Sequence, residues 1–359
     1  MTDWTDPETF ARAVERAETK PKGNHFEAFA EGDRIEHDPG LVLSRHGCED
    51  WLGQTLNHDP AYWRPSATRR RGFDEVPIHP DYLLAATLGC TVADLSEKGG
   101  YFLGRDDVRF HDRAVAPGTE LAVVSTVTET RTSSSRPAYG IVSWETEGRD
   151  ADTGDVLLSY TRTNMLPRET PAEAGDAATD GAGSDDEGAP DPDPTADLPD
   201  ELLAPDGGYF EDFREALATA EGADAAVAYR HERGRTVDDR TLAGLPLATL
   251  NTARQHHNAA AMADAPSGEP VAYGDVTRSI GLAHARSDER TWRELGAGEE
   301  RFHDFVTAGD TVFGFTVVLG CEPHDADAGE VRFRHVAFTQ DRRPVYSGTR
   351  TALIERRDR

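Results

Sequence analysis

Two short segments concentrate the residue types that could do chemistry. The first is Asn251-Thr252-Ala253-Arg254-Gln255-His256, which spaces an amide, a guanidinium and an imidazole over six positions. The second, Ala272-Tyr273-Gly274-Asp275, opens an expected helix. An imidazole can take a proton from water near neutral pH and return it to a neighbouring atom. A backbone N–H at a helix N-terminus stabilises negative charge developing on an oxygen, and glycine lets the ligand approach that N–H closely. Together, His256 and Gly274 would pair a proton-transferring base with a donor for an oxygen on which negative charge develops. Each residue also has a plainer reading. His256, beside His257, fits a packed or capping histidine, and Asn251 caps a helix or closes a turn as readily as it orients a water. Asp275 either favours its helix through the dipole or serves as an acidic partner to His256. Asp59, before Pro60, fits an N-cap with proline at the first helical position, with a catalytic role as its alternative.

These segments recur. Asn57 precedes Asn251 by 194 residues, and Ile78-His79-Pro80-Asp81 precedes Ala272-Tyr273-Gly274-Asp275 by the same offset. Arg109-Phe110-His111-Asp112 returns as Arg301-Phe302-His303-Asp304, and Thr161-Arg162-Thr163 as Thr349-Arg350-Thr351. The order is kept, so the chain is a tandem repeat. Chemistry favours the second copy. At the position of His256 the first copy has Tyr62, a phenol of reference pKa about 10 and a poor base. At the position of Gly274 it has Pro80, which has no N–H.

The elements that must position these groups follow from apolar spacing. Over Pro80 to Ser96, Leu84, Leu88, Val92 and Leu95 recur at three-to-four spacing, widened by Leu83 and Thr87, which predicts a largely buried helix. After each Arg-Phe-His-Asp segment the period becomes two, as in Leu121, Val123, Ser125 and Val127 and in Phe313, Phe315, Val317 and Leu319. Two further strands are expected in each half, near Tyr139–Glu147 and Val156–Leu166 and near Glu330–Thr339 and Val345–Ile354. Each half is therefore an α+β unit, a helix followed by an antiparallel sheet able to wrap it. The domains expected are 1–169 and 209–359. Between them, 170–208 is an acidic linker with no Lys or Arg and many Pro, Gly and Ala, expected to be extended and disordered.

Composition limits the partners. With 66 acidic and 38 basic residues the net charge is -28, and the only lysines are Lys20, Lys22 and Lys98. Such a field repels nucleic acid. The balance resembles that of cytoplasmic proteins from salt-accumulating halophiles. No apolar run is long enough to span a membrane, the N-terminus lacks the pattern of a secretory signal, and a cytoplasmic protein is expected. Cys48, Cys90 and Cys321 are too scattered for a disulfide framework or a zinc site.

A helix opened by such a segment and an Arg-Phe-x-x-x-Val-x-x-Gly-Asp turn into long antiparallel strands resemble the MaoC-like (R)-specific enoyl-CoA hydratases. Their motif is Asp-x-Asn-Pro-Leu-His, followed by His-Gly at the helix start. The resemblance covers both halves and implies a double hotdog. Here the Asp position is Asn57 or Asn251, and the His position is Tyr62 or His256. The second-half sequence resembles an Asn-x-x-Arg-x-His variant in a branch that includes mesaconyl-CoA hydratases. That implies a hydro-lyase interconverting mesaconyl-CoA (2-methylfumaryl-CoA) and 3-methylmalyl-CoA, in the methylaspartate route of acetate assimilation. In this reading Gly274 N–H polarises the thioester carbonyl, His256 activates water and Asn251 orients it; the first half completes a pseudo-dimer and shapes the acyl and CoA tunnel. The substrate is a CoA thioester, and no metal or other cofactor is needed. A second substrate carboxylate would be read by a bidentate arginine, Arg254 or Arg278, unless these merely balance the acidic surface. Arg69, Arg70 and Arg71 would hold CoA phosphates or pair with nearby acids. Acyl-CoA thioesterase, a (R)-3-hydroxyacyl-CoA dehydratase of broader specificity and a non-catalytic acyl-CoA binding protein are the alternatives. The pseudo-dimer is either complete as a monomer or part of a further homo-oligomer.

Overall fold

A computed structural model describes residues 1–170 and 197–357. Eleven strands form one continuous sheet. In chain order they are β1 (Arg34–Val42), β2 (Tyr101–Phe110), β3 (Glu120–Thr132), β4 (Tyr139–Asp150), β5 (Val156–Pro167), β6 (Glu201–Leu203), β7 (Ala225–Thr236), β8 (Thr291–Phe302), β9 (Thr311–Pro323), β10 (Ala328–Thr339) and β11 (Pro344–Glu355). Their spatial order is β1-β3-β4-β5-β2-β8-β11-β10-β9-β7-β6. The halves join where β2 pairs antiparallel with β8, with Arg105 opposite Glu300 and Val108 opposite Ala297.

Each sheet half curves around one long helix, as the hotdog resemblance implies. The first, Pro80–Leu95, is buried around nearly its whole circumference, which its apolar composition requires. The second, Gly274–Asp288, is equally buried although it carries Asp275, Arg278, His284 and Arg286. The helices meet across the pseudo-twofold: Tyr273 Oη donates to the Ala85 carbonyl at 3.1 Å. One core cluster runs through both halves, including Leu84, Leu88, Val108, Val276 and Ile280. Among the described residues no helix is long and apolar enough to cross a membrane.

Two expectations need correction. The N-terminal half has five strands and the C-terminal half six, counting the short β6, rather than three each, because β1, β2, β7 and β8 are rich in charged residues and lack clear period-two alternation. The Arg-Phe pair of each Arg-Phe-His-Asp segment closes β2 or β8. The linker is also shorter on its C-terminal side than 208, since β6, at Glu201–Leu203, already pairs parallel with β7. Residues 171–196, where most of the expected linker falls, lie outside the described residues.

A chain of buried ion pairs crosses the joint between the halves. Arg105 holds both oxygens of Asp275, at 2.5 and 3.1 Å, and reaches Glu300 at 2.6 Å. Arg278 links Glu300 to Asp81, Arg286 links Asp81 to Glu294, and Arg350 links Glu294 to Glu289. Signs alternate along all nine groups. Burial alone would raise the carboxyl of Glu300, but the Arg105 and Arg278 guanidinium groups overcome it and hold it at about 2. Glu294 is treated alike by Arg286 and Arg350, again at about 2.

Breaking such a chain strands charge in a dry interior. Asp81→Ala, which removes a shared partner of Arg278 and Arg286, should lower unfolding stability by about 3–5 kcal/mol. Denaturant titration at fixed KCl measures it. Arg12→Ala, at an exposed pair with Glu8, should leave stability nearly unchanged in the same assay.

Candidate active site

Asn251 owes its place to a helix end. Leu250, with φ of 61°, turns the chain out of the helical conformation, and Asn251 N–H donates back to the Pro246 carbonyl at 2.9 Å. Leu56, φ 59°, does the same ahead of Asn57. A leucine in this left-handed region costs about 1–2 kcal/mol over glycine, and the chain accepts it in both copies. The Asn251 side-chain oxygen then accepts from Ala253 N–H at 3.1 Å and starts the short helix Arg254–His256. His256 lies with its Nδ1 2.8 Å from the Val271 carbonyl oxygen. A carbonyl only accepts, so the proton sits on Nδ1 and the Nε2 lone pair is left for a substrate. Burial depresses the imidazole to about 4, against a smaller upward pull from the Val271 bond. His256 is therefore neutral at physiological pH.

The helix N-terminus beside it has no side-chain cap. Gly274 occupies its first position, and a Cβ there would come within 2.8 Å of the Phe302 ring, so close packing as well as the bare N–H calls for glycine. Asn251, Arg254, His256, Gly274 and Asp275 all line one cavity of about 580 Å³, closed on its other side by Leu88, Val92 and Phe102 of the first half. The site is thus built across both repeats.

The first copy of the same geometry is blocked. Its helix is capped by His79, whose Nδ1 accepts from Asp81 N–H at 3.0 Å, and its first residue is Pro80. The Asn57 amide is engaged by His79 Nε2 at 3.0 Å, and burial pushes the Tyr62 phenol far above its usual range. A second cleft, about 540 Å³, lies here.

The other expected site residues separate between these places. Arg254 is exposed at the cavity rim. Arg278 is not at the cavity: it is 2% exposed, and Asp81 and Glu300 consume its charge, which corrects its assignment to a substrate carboxylate. Asp59 caps the short helix Pro60–Tyr62, accepts from Ala61 N–H at 3.1 Å and pairs with Arg71 at 2.6 Å; it faces the second cleft, so the capping reading replaces the catalytic one. Arg70 and Arg71 line that cleft, and Arg69 lines neither, which takes the three arginines away from the cavity with His256. Asp275 is at the cavity, but Arg105 occupies both its oxygens, so it anchors its helix rather than partnering His256. Sequence reasoning passed over Arg162, Lys98 and Tyr273, which share the wall; Arg162 is visible in the sequence only as a landmark of the repeat. Among the described residues no cluster of His, Cys, Asp or Glu could hold a metal ion.

Two halves, each a sheet curved around one long buried helix and joined edge to edge through β2 and β8, make a double hotdog. Solved structures share the fold. A putative MaoC domain dehydratase from Chloroflexus aurantiacus superposes with a TM-score of 0.75 at 22% identity, over 95% of this chain and 99% of that one. A Mycobacterium tuberculosis conserved hypothetical protein with a double hotdog fold gives 0.71 at 21% identity, over 92% and 98%. The family model for mesaconyl-CoA hydratase matches residues 3–356. Mesaconyl-CoA hydratases of Haloarcula hispanica and Haloarcula marismortui are 64% and 63% identical to this chain, each over 99% of both sequences. The chain belongs to the mesaconyl-CoA hydratase family.

Two measurements test the geometry. A base whose neutral form acts, and whose pKa burial has lowered to about 4, stays available as pH falls through 6.5. The acid limb of kcat/KM should therefore lie near pH 4; a midpoint near 6.5 would mean a solvated imidazole. Gly274→Ala adds a Cβ but keeps the N–H, while Gly274→Pro adds similar bulk and removes it. Proline should be slower than alanine by about 10²–10³ in kcat.

Proposed function

We propose that the protein catalyses the reversible hydration of mesaconyl-CoA to 3-methylmalyl-CoA. The observation that carries this reading is the free Nε2 of His256 in the same cavity as the uncapped N–H of Gly274. The thioester oxygen lies against Gly274 N–H, where the helix terminus favours the charge that develops. His256 Nε2 takes a proton from a water oriented by the Asn251 amide, and the water oxygen forms its bond to C3. The π electrons move through C2 and C1 onto the thioester oxygen. The imidazolium then gives its proton to C2, so H and OH are added and nothing leaves. A pKa depressed by burial makes His256 a weaker base but its imidazolium a stronger acid, which speeds the second half. Lys98 and Arg254 are the basic residues available at the cavity for the CoA phosphates. The acidic composition and the Haloarcula relatives support function in the cytoplasm of a salt-accumulating cell.

Mesaconyl-CoA should lose the ultraviolet absorbance of its conjugated enoyl-thioester, with no thiol released and a faster rate than crotonyl-CoA. Thiol release would identify a thioesterase instead. His256→Ala should lower kcat by about 10²–10⁴, and an undiminished rate would remove His256 from the mechanism.

A further inference from the structure

The Thr-Arg-Thr motif occurs once in each half, as Thr161-Arg162-Thr163 on β5 and Thr349-Arg350-Thr351 on β11. Both arginines are buried, at 1% and 2% exposure, yet their surroundings differ in charge. Arg350 is held by the carboxylates of Glu289 and Glu294, which raise its affinity for its proton despite burial. Arg162 makes no ion pair among the described residues. Its Nε donates to Asn164 Oδ1 at 2.8 Å, Nη1 to Thr91 Oγ1 at 2.7 Å and Nη2 to Ser96 Oγ at 2.8 Å, all neutral acceptors. The rings of Trp144 and Phe102 lie 5.5 and 5.8 Å from its guanidinium carbon.

A guanidinium has five N–H donors, so this fork is oriented by three bonds and keeps two donors unspent. A buried cation without a counter-charge is expensive, and burial here lowers Arg162 below the usual arginine value. Arg162, Asn164 and Ser96 line the cavity that holds His256 and Gly274. The copy of this arginine in the other half is answered by the chain's own carboxylates. We infer that Arg162 is answered by the ligand: it binds the free carboxylate of a dicarboxylic acyl thioester, so the N-terminal half selects the acyl group that the C-terminal half transforms. In mesaconyl-CoA that carboxylate is attached to C3, the carbon that water attacks, so the contact would also fix C3 in front of His256. Arg254, exposed at the rim, remains hydrated and cannot discriminate as strongly.

The inference rests on the hydratase reading for its substrate, but binding tests it without turnover. Succinyl-CoA and butyryl-CoA have four-carbon acyl chains, differ in the terminal carboxylate and lack the double bond. The wild-type protein should bind succinyl-CoA more tightly by about 30-fold or more. Arg162→Gln should bring the ratio near one, and Arg162→Lys, which keeps the charge but not the fork, should fall between. Equal binding by the wild type, or an unchanged ratio in Arg162→Gln, overturns the proposal. A structural arginine is detected separately. Losing an unanswered cation should leave the melting temperature of Arg162→Gln unchanged or raised, whereas Arg350→Gln strands Glu289 and Glu294 and should lower it. A fall in Arg162→Gln equal to that in Arg350→Gln also counts against the proposal. If mesaconyl-CoA is not hydrated but the preference exists and disappears with Arg162, the hydratase reading fails and the carboxylate site stands. If mesaconyl-CoA is hydrated and the preference is absent or survives Arg162→Gln, hydration stands and the carboxylate site fails.

Discussion

Both long helices are clamped at their N-termini by arginines from the opposite half. Asp81, the second residue of one helix, is held by Arg278 and Arg286, and Asp275, at the same place in the other, is held by Arg105. Each acid sits where a helix dipole welcomes it, and each partner comes from the other half, Arg105 from β2 and Arg278 and Arg286 from the second helix. The position of Gly274 N–H relative to the N-terminal half is therefore set by ion pairs in a dry interior. Buried pairs of this kind contribute little net stability over a packed apolar equivalent, but they penalise severely any arrangement that separates them. Their effect here is registration of the two repeats.

Duplication followed by divergence explains why one site suffices. The two copies share the αL leucine, the asparagine after it, and the aspartate in the helix's first turn. They part at two positions that decide chemistry: His256 against Tyr62, and Gly274 against Pro80. In the inert copy, His79 caps the helix and engages Asn57, so the polar groups that the other half turns toward its cavity are satisfied internally. Where Val92 faces the active cavity, Arg286 faces the second cleft and belongs to the ionic chain. The inert half also supplies Leu88, Val92 and Arg162 to the wall of the active one.

How much of this was legible in the sequence depended on the reach of the interaction. The helix over Pro80–Leu95 and the strands after each Arg-Phe-His-Asp segment announced themselves by apolar period, and the tandem repeat placed His256 in register with Gly274. Strands β2 and β8 did not, because Arg105, Glu294 and Glu300 point into the ionic chain where an apolar residue would ordinarily mark the pattern. Arg278 looked available for substrate because its partner Asp81 is 197 positions away. Arg162 carried no local distinction from Arg350 at all; only the contrast between neutral and acidic neighbours separates them.

The central claim is that one acyl-CoA binds per chain, in the cavity between the halves, with its thioester oxygen on the second helix. A crystal structure of the protein with 3-methylmalyl-CoA bound tests it most directly. A single ligand is expected, with that oxygen within hydrogen-bond distance of Gly274 N and the hydroxyl β to the thioester facing His256 Nε2. An acyl group lodged instead in the cleft of Asn57 and Arg71, or one in each cleft, would contradict it.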